Sequence, residues 1–181
     1  MIRFLMRQAV AIIGGALLVA CTRMPVGDVT LECPELPATF HQEDLVGTWA
    51  ASYSLNDSDV LIIRSDGTYK QIYDDPDAGR HFESDWLKWQ IEFRESNFAR
   101  LHLNGMRRAG DLELIFNREG GGVDPELFTA IDYCENEVID MPDGIVLIVT
   151  GATHDAPRGI VLRQTRLAGS EWTWSFELIE E

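Results

Sequence analysis

"LVGTWAASYSLNDSDVLIIRSDGTYKQIYDD", Leu45 to Asp75, is the stretch that decides the fold class. Val60–Arg64 and Thr68–Tyr73 are β-branched and aromatic runs, and Asp66-Gly67 lies between them. Asp and Gly tolerate positive φ, so such a pair between two such runs is the strongest short-range sign of a β-hairpin. Thr48–Tyr53 reads as a strand before the hairpin, with Trp49 just inside it.

Outward from this stretch, period-two alternation dominates. Leu87, Trp89, Ile91 and Phe93 alternate with Lys88, Gln90, Glu92 and Arg94. Trp172, Trp174, Phe176 and Leu178 alternate with Thr173, Ser175 and Glu177. Both patterns describe strands with one face in a core and one in water. Further strands are expected at Ala99–Leu103, Phe128–Cys134, Ile145–Thr150 and Ile160–Arg166, giving about nine. Gly, Asp, Asn and Pro punctuate the gaps, as in Met141-Pro142-Asp143-Gly144. An all-antiparallel sheet of that size closes into a barrel or folds into a sandwich.

The N-terminal segment carries an address instead of a fold. Arg3 and Arg7 precede Ala9–Ala20, an unbroken apolar run of 12 residues. A spanning helix needs about 20, whereas this length suits the apolar region of an export signal. The run ends in Leu18-Val19-Ala20-Cys21, which resembles the lipobox of bacterial lipoproteins. That resemblance implies a signal peptide over residues 1–20, a diacylglycerol on Cys21, and attachment to a membrane on the outside of the cytoplasm. Thr22, with no aspartate following the cysteine, leans toward the outer membrane in a Gram-negative host. An ordinary secretory signal that happens to contain a cysteine is the alternative. Thr22–Pro37 holds three prolines and little periodicity, so residues 21–39 are expected to be a lipidated tether and residues 40–181 one domain.

Removal of the signal takes two of the 15 basic residues and none of the 30 acidic ones, leaving 13 − 30 = −17. A surface that negative repels phosphate backbones, so nucleic acid is not an expected partner. With Cys21 assigned to the anchor, Cys33 and Cys134 form an even remainder. Outside the cytoplasm such a pair is expected to form a disulfide, and two buried free thiols are the other reading.

Phe40, the residues His41–Asp44, and Leu45-Val46-Gly47-Thr48-Trp49 together resemble the start of lipocalin-like barrels. In that family a short helical turn leads into a strand through Gly-x-Trp, and the tryptophan closes the floor of an up-and-down barrel. The resemblance implies a barrel of about 8–9 strands with Trp49 at its floor. It also implies an arginine from a late strand stacked on the indole, Arg163 or Arg166 here, an arrangement with a cation–π rationale. Ile131-Asp132-Tyr133 is similar to the family's Thr-Asp-Tyr, with isoleucine replacing the threonine. A core tryptophan of some other β-fold is the alternative role for Trp49.

Catalytic and metal signatures are missing from the sequence. His41, His81, His102 and His154 are not spaced as a metal pair on one element. Asn56-Asp57-Ser58-Asp59 and Asp74-Asp75-Pro76-Asp77 lack the glycine and distal glutamate of an EF-hand, and turn chemistry explains them. No Gly-x-Ser-x-Gly elbow or His-Glu-x-x-His motif occurs. The Asn117–Pro125 loop, with Gly120, Gly121 and Gly122, lacks the Walker spacing. It reads either as a surface loop or as a lid over a barrel mouth. The expectations are therefore no enzyme, no cofactor and no metal. The lipocalin resemblance implies a lipid-anchored barrel binding a small apolar or amphipathic ligand; the alternative is a non-enzymatic assembly lipoprotein whose filled barrel presents a surface to an envelope protein. A ligand barrel would hold a lumen of ~300–1,000 Å³, and a filled interior would favour the second.

Overall fold

The computed structural model describes residues 33–53, 55–107, 129–140, 143–152, 156–167 and 174–180. The signal segment, Cys21, Gly120–Gly122 and His154 lie outside them. The described strands are β1 (Gly47–Ala51), β2 (Ser58–Ile63), β3 (Thr68–Asp75), β4 (Arg80–Glu83), β5 (Leu87–Phe93) and β6 (Ala99–Asn104). They continue as β7 (Thr129–Asp132), β8 (Glu137–Asp140), β9 (Gly144–Gly151), β10 (Ile160–Gln164), β11 (Arg166–Leu167) and β12 (Ser175–Glu180).

The main sheet runs β2-β1-β12-β10-β9-β6-β5-β3, and β2 also pairs with β3, so eight antiparallel strands close into a barrel. Each of these eight neighbours the next barrel strand in the chain, which makes the barrel up-and-down and compatible with a lipocalin-like architecture. Closure removes the free sheet edges that a sandwich would keep. The ninth strand of the sheet, β4, pairs with β3 from Ile72 to Asp75. It thereby confines β3–β5 pairing to Thr68↔Lys88 and Tyr69↔Leu87.

The first hairpin forms where Asp66-Gly67 predicts it. Gly67 has φ +80, the Arg64 amide donates to Thr68 O at 2.9 Å, and Asp66 Oδ1 accepts from the Thr68 amide at 3.0 Å. The alternation on either side then sends Leu61, Ile63, Tyr69 and Tyr73 inward.

Two expectations are corrected. The strand expected at Phe128–Cys134 is not in the barrel: β7 joins β8 and β11 in a separate three-stranded sheet. Four residues of alternating character do not reveal which sheet they will join. This sheet also changes β9, whose Ile145, Leu147 and Val149 belong to the barrel core. On the other face of the same strand Val146 packs with Ala130 of β7 and Ile139 of β8. Burial on both faces is why "IVLIVT" reads as a continuous apolar run.

The tether is the second correction: residues 21–32 lie outside the described residues, and from Cys33 onward the segment packs on the barrel. Leu36 is buried in the barrel core, its amide donates to Asn97 O at 2.8 Å, and Pro34 O accepts from the Gly151 amide at 3.0 Å. Gly151 is required where this strap crosses, since a Cβ there would sit 2.2 Å from Glu35 O. Cys33 is joined to Cys134 by a disulfide with Cα atoms 5.4 Å apart, tying the strap to the β7–β8 turn.

Candidate functional site

A closed barrel encloses an interior, which is the first candidate. Its floor is set by the short 3₁₀ turn Gln42–Leu45, whose start is held by Asp44 Oδ2 accepting from the His41 amide at 2.8 Å. Leu45 and Trp49 are both fully buried, and Trp49 Nε1 donates to Leu45 O at 2.8 Å. The indole thus satisfies its polar atom inside the core and fixes the turn that leads into β1.

Arg158 is the arginine that braces this floor. Its Nη1 donates to Asp44 O and Val46 O, each at 2.7 Å, from a backbone at φ +60. Arg163 does not meet Trp49. It lies between Leu162 and Gln164 on β10, and those two face the interior, so strand alternation turns Arg163 outward. There it faces Tyr133, whose hydroxyl burial pushes up and the guanidinium draws back. The side chain of Arg166 lies outside the described residues. Arg158 sits in the connection before β10, where no periodicity marks a residue for a role.

Above Trp49 the barrel is packed with side chains. Leu61, Tyr69, Leu101, Leu147, Leu162 and Phe176 are completely shielded from solvent and belong to one continuous cluster with the floor. Trp89 joins them and donates its Nε1 to Arg64 O at 3.0 Å. Two recesses lie on the outer wall. One of about 130 Å³ is lined by His102, Asn104, Asp140 and Asp143. A second, of about 350 Å³, opens beside β1 and β2 near the floor.

A buried polar network lies at the opposite end. Asp59 is completely buried, and Gln71 Nε2 donates to both its oxygens at 3.0 Å. Tyr53 Oη donates to Asp59 Oδ2 at 2.9 Å and accepts from Gln164 Nε2 at 2.8 Å. Gln71 also clasps the Arg107 backbone, donating to its carbonyl at 2.7 Å and accepting from its amide at 3.0 Å. The Tyr53 ring meets Trp174 edge-on at 5.1 Å. Burial raises the Asp59 carboxyl to about 7, against the opposing pull of the bonds from Gln71 and Tyr53. Burial and the neighbouring Asp59 likewise push the Tyr53 hydroxyl well up. These groups satisfy one another's polar atoms inside the barrel.

A charged cluster lies on the outer wall. Arg100 of β6 donates Nε to Asp132 Oδ2 at 2.8 Å and Nη2 to Glu137 at 2.6 Å. Arg94 reaches Glu135 at 2.5 Å and Glu92 at 2.5 Å. Asp132 Oδ1 accepts from the Cys134 amide at 2.8 Å. Asp132, within the Ile131-Asp132-Tyr133 stretch, therefore fastens the outer hairpin to the barrel and shapes the turn that carries the disulfide. The other polar stretches serve turns: Asn56 Nδ2 donates to Asp77 at 2.8 Å, and Asp75 accepts from the Ala78 amide at 3.0 Å. His81 pairs with Asp74 at 2.6 Å and His102 with Glu92 at 3.2 Å. Among the described residues, no three His, Cys, Asp or Glu side chains are placed to hold a metal ion.

No family model matches the chain, and neither a curated protein nor a solved structure matches it.

Proposed function

We propose that this chain is a lipid-anchored, extracytoplasmic protein of the bacterial cell envelope whose barrel is a filled, non-enzymatic scaffold presenting its outer wall to an envelope protein. The observation that carries this reading is the continuous packing from Leu45 and Trp49 through Leu61, Leu147 and Phe176. A carrier of a small apolar ligand needs a lumen of several hundred cubic ångströms, of the order typical for ligand sites (~300–1,000 Å³). The buried side-chain cluster and the Asp59 network among the described residues support a filled interior instead. The anchor is the diacylglyceryl group on Cys21 implied by Leu18-Val19-Ala20-Cys21, in the outer membrane if the host is Gram-negative. Support for an extracytoplasmic location comes from the Cys33–Cys134 bridge, because disulfides persist in oxidising compartments.

The test is a titration of the purified protein with a fluorescent fatty acid that brightens in apolar surroundings. The reading expects no saturable binding. Saturable one-to-one binding that vanishes when an interior position is enlarged, as in Ala51→Phe, would replace the scaffold with a carrier.

A further inference from the structure

The whole sequence holds only two lysines, Lys70 and Lys88, and both stand on the same side of the barrel. Lys88 pairs across strands with Thr68, and Lys70 lies two residues along the same outward row. On the other side of Thr68, the backbone bond from the Arg64 amide to Thr68 O brings Arg64 into line. Trp86, 38% exposed, leans over this row, with the Arg64 guanidinium 3.3 Å from its ring centroid and Lys70 Nζ at 5.2 Å. Three cations and an exposed tryptophan thus gather on one wall of a chain whose net charge is −15.

The acidic neighbours leave two of those cations without an ion pair among the described residues. Glu83 takes Lys70 at 2.5 Å. Asp66 is turned into its own loop, accepting from the Thr68 hydroxyl at 2.6 Å and from its amide, and it feels the Arg64 charge without bonding to it. Asp85 is exposed at the margin beside Trp86. Arg64 and Lys88 make no ion pair among the described residues, and both are exposed. The recess of about 350 Å³ opens next to Arg64, with Val46, Thr48 and Ile62 in its lining.

We propose that this wall is a docking face for an acidic segment of a partner protein, with carboxylates on Arg64 and Lys88 and an aliphatic side chain in the adjoining recess. Stacking on Trp86 holds the guanidinium plane in place while its edge stays free for a bidentate carboxylate. Holding it in advance reduces the ordering cost of binding. Tryptophan and arginine are also the residues that most often dominate protein interfaces. A lipid surface fits less well, since lipid recognition uses clusters of about 4–8 basic residues and this wall has two unpaired ones. The proposal rests on the scaffold reading and names the surface that reading calls for.

The experiment uses the full-length protein and a synthetic peptide alternating glutamate with leucine, followed by NMR at the Trp86 indole N–H. A chain this acidic repels such a peptide overall, so binding reports a local site. The expected result is a saturable shift at Trp86 that weakens with added salt. Affinity should fall about tenfold or more in the Arg64→Glu, Lys88→Glu double variant. Arg64→Lys, which keeps the charge and loses the planar stack, should fall between the two. A silent Trp86, a shift indifferent to the double variant, or a response only to anionic phospholipid vesicles would each overturn the proposal. An occupied barrel interior would overturn the scaffold reading and leave this result untouched, so the two failures are distinguishable.

Discussion

The guanidinium of Arg100 and the carboxylate of Asp132 form an ion pair shut away from water, Nε to Oδ2 at 2.8 Å, between the barrel and the hairpin that lies on it. The two partners are not equivalent. Asp132 is completely buried, and Arg100 Nη2 also contacts Glu135 and Glu137, which reach solvent. Arg100→Met therefore strands a buried carboxylate and should cost about 3–5 kcal/mol. Asp132→Ala leaves Arg100 its three glutamates, Glu92, Glu135 and Glu137, and should cost less, about 1–3 kcal/mol, through lost hydrogen bonds. Urea unfolding of the two variants checks the order, and equal costs would contradict it.

Asp59 sets a pH dependence of unusual sign for a carboxylate. Its folded value, raised by burial to about 7, lies above the unfolded value of about 3.9. Stability from the protonated form is thus fully present below about pH 4 and is lost as pH rises through 7, at up to about 1.4 kcal/mol per pH unit. Glu92 and Glu135 run the other way. Burial opposes ionisation of Glu92, but bonds from Arg94 and His102 outweigh it, while Arg94 holds Glu135 low. Their contribution is lost as pH falls below the usual glutamate range. Stability measured from pH 4.5 to 8 should fall in the parent protein and be flatter in Asp59→Asn. Parallel curves would contradict the assignment.

At the floor, Trp49→Ala should cost about 3–5 kcal/mol, the usual range for emptying a buried tryptophan site. Trp49→Phe keeps most of the packing and loses the bond to Leu45 O, adding about 0.5–1.5 kcal/mol to the packing change. Arg158→Ala should cost about 1.5–3 kcal/mol by removing charged bonds to the Asp44 and Val46 carbonyls. Arg163→Ala, on the outer face, should leave Trp49 fluorescence unchanged. A spectral change in Arg163→Ala matching that in Arg158→Ala would return Arg163 to the floor.

The Cys33–Cys134 bridge closes a separation of 101 residues, and in the chain-entropy model such a loop contributes about 4.7 kcal/mol. Reduction should lower the unfolding midpoint and speed hydrogen exchange at the Leu36 and Gly151 amides, which the strap protects. Unchanged exchange at those amides after reduction would show that the strap holds without its bridge.

Much of the barrel was legible because alternation and turn chemistry agree. Leu87–Phe93 is β5 residue for residue, and Asp66-Gly67 makes its hairpin. Asp59 is a correction: turn chemistry is the reading its sequence invites, yet the side chain is buried in the core, as strand phase would have shown. Asp59 stands in step with Leu61 and Ile63, Gln71 with Tyr69 and Tyr73, and Gln164 with Leu162, so three polar residues occupy core positions. Other features had no local signal. β4 has four residues with no fully buried side chain, Arg158 lies in a connection, and the partner of Arg100 is 32 residues away. Which sheet β7 joins depends on contacts made across the chain, with β11 and with the outer face of β9.

The central claim, a filled scaffold on a lipid anchor, is tested most directly by native mass spectrometry of the protein taken intact from its own envelope in mild detergent. The account predicts a single mass: the chain from Cys21 with its lipid, less the two hydrogens of the disulfide, and identical before and after unfolding. A stoichiometric small molecule present in the folded protein and released on unfolding would contradict it.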